Sequence, residues 1–90
     1  MYMFMDALAN GAASCGVPKE KALKYAAAAM IGAAKMVQQS DRSPEELKNA
    51  VCSPGGSTLA GVRVLDSAGF TNTVSECVCA AYKRNQELGK

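Results

Sequence analysis

The chain has 90 residues, 49% of them hydrophobic, which suits one small domain and is too apolar for a disordered segment. Ten Lys and Arg residues face eight Asp and Glu residues, and the basic residues are scattered, which argues against a nucleic-acid-binding surface. The longest apolar run, residues 25–34, is too short for a membrane span, which needs about 20 apolar residues.

Ala, Leu, Met, Lys and Glu dominate the chain and β-branched residues are sparse, so the pattern predicts five helices and no strands. The first helix is predicted over residues 1–14. Gly16 is expected to adopt the left-handed conformation that ends it, and Pro18 is expected to lie in the first turn of the next helix.

The second helix is predicted over residues 18–39 and is apolar around nearly its whole circumference from Ala22 to Val37. A helix that is apolar on all faces must be buried on all faces, and four short neighbours cannot easily surround it. We therefore expect an oligomer, a dimer with interleaved helices. The alternative is an ordinary central helix in a monomeric bundle.

The remaining helices have recognisable starts and ends. Ser43, Pro44 and Glu46 predict a capping box at the start of the third helix, residues 44–51. The fourth helix is predicted over residues 58–68 and is ended by Gly69. The fifth is predicted from Thr71 or Thr73 to Leu88, with Thr73 and Glu76 as a second capping box and basic residues, including Lys90, at its end. The residues expected to face inward are Leu47, Ala50, Val51, Leu59, Val62 and Leu65. In the fifth helix Val74, Val78 and Ala81 recur at helical spacing.

Four cysteines, Cys15, Cys52, Cys77 and Cys79, occur without any histidine. Cys77 and Cys79 are two residues apart, so on a helix they point to different faces, and we expect no zinc site. A disulfide framework is the alternative for a short chain, but no other feature indicates secretion. We expect reduced thiols in a cytoplasmic protein.

Residues 53–61, Ser-Pro-Gly-Gly-Ser-Thr-Leu-Ala-Gly, predict a tight turn that ends one helix and starts another. Free backbone N–H groups at a helix start favour an anion, and adjacent glycines let a ligand approach the backbone. The hydroxyl of Thr58 can form a hydrogen bond with a ligand nitrogen. The alternative is a plain helix connector, with Cys52 beside it as a small buried side chain.

Residues 44–66, PEELKNAVCSPGGSTLAGVRVLD, closely resemble the signature region of pyrroline-5-carboxylate reductases. Residues 2–37 resemble the dimerisation helices of that family, and AAYKRNQELGK at residues 80–90 fits as well. The resemblance covers nearly the whole chain, and SPGGST together with GAAKM at residues 32–36 is its most specific part.

The resemblance implies an all-α five-helix bundle, interlocked with a second copy in a dimer and similar to the C-terminal domain of 6-phosphogluconate dehydrogenase. It implies that the family enzyme reduces 1-pyrroline-5-carboxylate to L-proline, the last step of proline biosynthesis, with NADPH or NADH held by a separate Rossmann domain. Residues 1–90 are then the C-terminal dimerisation and substrate-binding domain, inactive alone, with no bound cofactor or metal. In many members the dimers assemble into decamers.

The resemblance also implies where the substrate is held. The expected substrate-binding residues are Ser53, Gly55, Gly56, Ser57 and Thr58. Thr58 is the candidate catalytic residue, because the matching hydroxyl lies near the imine nitrogen. Asn49 and Ala50 depart from the family pattern, which puts cofactor contacts from this domain in doubt but leaves the carboxylate-binding turn unaffected. Two other functions stay open, a stand-alone helical dimerisation module without catalytic activity and a small-carboxylate-binding protein.

Overall fold

A computed structural model of the chain describes residues 1–89, and all regular secondary structure in that range is helical. The helices are α1 (Tyr2–Ser14), α2 (Lys19–Gln39), α3 (Pro44–Val51), α4 (Ser57–Ser67) and α5 (Phe70–Leu88). The predicted all-α class with five helices is therefore confirmed. Lys90, which was assigned to the end of the last helix, lies outside the described residues. Within residues 1–89, no helix has both the length and the apolar character needed to cross a bilayer.

The chain divides into two compact units, Met1–Pro44 and Glu45–Lys90. In the first unit α1 packs against α2 through small side chains. The buried residues are Ala9, Ala22 and Ala26, and Ala9 is completely inaccessible to solvent. An ion pair between Lys19 Nζ and Asp6 Oδ1, 3.2 Å apart, also joins the two helices. Its side chains are 49% and 60% exposed, so it contributes only about 0–1 kcal/mol, and the packing of α1 against α2 is the main link.

Gly16 ends α1 as predicted. Its φ of +102° is in the left-handed region, and the Val17 N–H donates to the Ala12 carbonyl at 3.0 Å, as in a Schellman motif. Pro18 was predicted inside the first turn of α2, but its ψ of 134° is extended, so it is the N-cap. The helix therefore begins one residue later, at Lys19.

Gly69 lies between α4 and α5 in the second unit. Helix α4 ends at Ser67, one residue earlier than predicted, and its C-cap is Ala68. Gly69 follows Ala68 with a φ of +74°, and its carbonyl accepts the Thr73 N–H at 2.9 Å as the N-cap of α5. Because α5 can then begin at Phe70, the predicted start one or three residues later is wrong. The second capping box is wrong too, since Thr73 lies inside the helix and Glu76 accepts a hydrogen bond from Asn72 Nδ2 at 3.0 Å.

Most of the large apolar side chains are exposed in the single chain. Of the residues predicted to face inward, Leu47, Leu59 and Val62 are half-buried, whereas Ala50, Val51 and Leu65 are exposed. The residues at helical spacing in α5, Val74, Val78 and Ala81, are exposed too. The apolar face of α2 is exposed as well, with Ile31 58% and Met36 53% accessible. The prediction of inward burial is therefore wrong for Ala50, Val51 and Leu65 within one chain.

The left-handed conformation of Gly69 leads to a testable prediction. Gly69→Ala should lower the free energy of unfolding by about 1–2 kcal/mol, because an L side chain is strained at positive φ. Gly61→Ala is the matched control, since Gly61 lies within α4 and no atom lies within 4 Å of the position its Cβ would take. The control should be about 0.5–1 kcal/mol more stable. Urea unfolding, followed by circular dichroism at one protein concentration, measures the free energy of unfolding of both variants. A Gly69→Ala variant as stable as the parent chain would contradict a left-handed conformation at Gly69.

Candidate functional site

The segment between α3 and α4 is a hydrogen-bonded β-turn formed by residues 53–56. The Gly56 N–H donates to the Ser53 carbonyl at 2.9 Å. Pro54 occupies the second position, and Gly55, with a φ of +72°, occupies the third, which is the pattern of a type II turn. The predicted turn between two helices is confirmed.

Gly56 is favoured by close approach rather than by positive φ. Its backbone is extended, with φ −81° and ψ 165°, and it is the N-cap of α4. A Cβ at this position would lie 3.1 Å from the Ser53 carbonyl oxygen, the same oxygen that closes the turn. Helix α4 therefore begins at Ser57, one residue earlier than predicted.

The first turn of α4 presents backbone N–H groups without acceptors. The first hydrogen bond of the helix runs from the Ala60 N–H to the Gly56 carbonyl at 3.2 Å, and no side chain caps this end. In the described part of the chain, the N–H groups of Ser57, Thr58 and Leu59 therefore have no partner. The first turn also has no acidic residue. Together with the positive end of the helix dipole, these groups favour an anion.

The structure brings the predicted site residues together at this turn. Ser53, Gly55, Ser57 and Thr58 are exposed, and Gly56 is half-buried. The Leu59 N–H adds a donor that the sequence reading did not include, although every helix leaves its first N–H groups unpaired. Cys52, expected to be a buried side chain, is only half-buried.

The cysteines and acidic residues are the candidate metal ligands in residues 1–89. All four cysteines are free thiols, and three of them are exposed. Among residues 1–89, no three His, Cys, Asp or Glu side chains form a group that could hold a metal ion. The turn at residues 53–58 is thus the candidate site.

Comparison with known proteins matches residues 1–88 to the family described as pyrroline-5-carboxylate reductase dimerisation. The chain belongs to this family. It is 42% identical over 88 residues to the pyrroline-5-carboxylate reductase of Synechocystis sp., covering 98% of this chain and 33% of the relative. It is 41% identical over 90 residues to the Escherichia coli reductase, covering 100% and 34%. The chain therefore spans about a third of the length of the relatives it matches.

Solved structures of the family share this fold. The pyrroline carboxylate reductase of Plasmodium falciparum, solved with NADP bound, matches with a TM-score of 0.93 at 29% identity, covering 99% of this chain and 34% of that one. The reductase of Coxiella burnetii matches with a TM-score of 0.92 at 32% identity, covering 99% and 33%. The family resemblance seen in the sequence is confirmed.

The conformation of Gly55 leads to a second prediction. Gly55→Ala should lower the free energy of unfolding by about 1–2 kcal/mol, because alanine is strained at a φ of +72°. Gly55→Asn should lose less, because asparagine tolerates the left-handed region and no atom lies within 4 Å of the Cβ position. Urea unfolding compares the two variants. A larger loss of stability for asparagine than for alanine would show that the size of the side chain, and not the positive φ, favours glycine at position 55.

Proposed function

We propose that residues 1–90 form the dimerisation and substrate-binding domain of a pyrroline-5-carboxylate reductase that makes L-proline from 1-pyrroline-5-carboxylate. The observation that carries this proposal is the family match over residues 1–88, supported by relatives of that name at 41–42% identity. Because the chain spans about a third of those relatives, we assign the activity to a longer protein, to whose active site this segment would contribute.

The nicotinamide cofactor is proposed to bind outside this segment. Its sequence has no G-x-G-x-x-G, and a dinucleotide fold would place that motif after a strand, whereas the described residues are helical. We assign NADPH or NADH, the source of the reducing hydride, to a part of the parent enzyme outside residues 1–90. The Plasmodium falciparum relative, with NADP bound, supports a nicotinamide cofactor for the family.

The turn at residues 53–58 is the proposed substrate site. The carboxylate of 1-pyrroline-5-carboxylate would be held by the unpaired N–H groups of Ser57 and Thr58, with the hydroxyls of Ser53 and Ser57 as further donors. The glycines at positions 55 and 56 leave the backbone accessible to the ligand. A carboxylate bound here replaces the acidic N-cap that α4 lacks.

Thr58 is proposed to act on the ring nitrogen. Its side chain is exposed, adjoins the proposed carboxylate-binding N–H groups and is not involved in capping α4. In 1-pyrroline-5-carboxylate the carboxylate is attached to a carbon next to the nitrogen, so one residue can reach both groups. The hydroxyl would orient the imine nitrogen by a hydrogen bond and assist its protonation.

A second copy of the chain is the proposed partner. Val64, Val78, Tyr82 and Leu88 are each more than 60% exposed, an unusual amount of apolar surface for a free monomer. Burial of these side chains against a second copy would provide the stability that three buried alanines cannot. Free cysteines suit a reducing compartment, and we propose the cytoplasm.

A chimera tests the enzymatic proposal. Residues 1–90 would replace the matching 34% of the Escherichia coli reductase, to which they align over their whole length. We expect the folded chimera to oxidise NADPH with 1-pyrroline-5-carboxylate and Thr58→Val to lower kcat/KM about 10- to 100-fold, the loss of a hydrogen bond to a charged group. Thr58→Ser should retain most of the activity. Ser67→Ala, which removes an exposed hydroxyl from the other end of α4, is the control.

Two results would count against that proposal. A chimera that folds and dimerises but shows no turnover would exclude the reductase role. Equal kcat/KM for the chimera with Thr58 and with Thr58→Val would exclude the role assigned to the Thr58 hydroxyl. Residues 1–90 alone should oxidise no NADPH, and turnover by this isolated segment would contradict the assignment of the cofactor to another domain.

The dimer can be tested by light scattering at micromolar concentration. We expect residues 1–90 to have the mass of a dimer or of a larger assembly of dimers, such as a decamer. Val78→Asp should shift the mass toward the monomer, because it would bury an unpaired charge in the proposed interface. Thr73→Asp adds the same charge about 140° around α5 and is the control. A monomeric parent chain would exclude the proposed partner.

Ligand titration separates a substrate-binding domain from a dimerisation module without a catalytic role. Adding L-proline to isotope-labelled residues 1–90 at millimolar concentration should shift the amide resonances of Ser57, Thr58 and Leu59. Pyrrolidine, which lacks the carboxylate, should leave them in place. Unmoved resonances with both ligands, in a chain that dimerises, would favour the dimerisation module.

A further inference from the structure

We draw no further inference here: the strongest candidate, the exposed apolar face of α5 around Val74, Val78 and Tyr82, belongs to the dimer already proposed, and nothing in the structure shows another partner that would cover it.

Discussion

The packing of the chain is limited by how little apolar surface it buries by itself. Among the described residues, only Ala9, Ala22 and Ala26 are buried, and each contributes a single methyl group. The larger side chains, such as Val78 and Tyr82, remain accessible. Because apolar burial is the dominant favourable term in folding, a helical segment of this kind depends on a second surface for most of its stability. Folding and association are therefore expected to be coupled.

Glycines between the helices allow the backbone to change direction. Gly16, Gly55 and Gly69 have positive φ, and each reverses or redirects the backbone within a few residues. At Gly16 and Gly69 these reversals pair carbonyl groups at the ends of α1 and α4 with backbone N–H groups. Gly56 has a different role, because its missing side chain leaves room for the Ser53 carbonyl. The turn at the candidate site would therefore favour both glycines even if it bound no ligand.

Helix number, helix type and most boundaries to within one residue were predictable from composition and from the positions of proline and glycine. The predicted start of α5 was wrong because Gly69 both ends one helix and caps the next, and a sequence pattern does not show which threonine precedes the first turn. Which apolar faces are buried within the chain could not be predicted, for another reason. Helical spacing in α5 identifies an apolar face, such as Val74 and Val78, but it does not show whether that face packs within the chain or against another chain.

The candidate site was also predictable from the sequence only in part. Residues 53–58 could be placed at a turn from sequence because Pro-Gly-Gly has few conformations. The donors themselves required the structure, since it is the absence of a side-chain cap at Gly56 that leaves the N–H groups of Ser57 to Leu59 unpaired. A serine or aspartate cap would have satisfied one of these donors locally and competed with an external carboxylate. An uncapped glycine start therefore lowers the stability of α4 by itself and increases what a bound carboxylate can contribute.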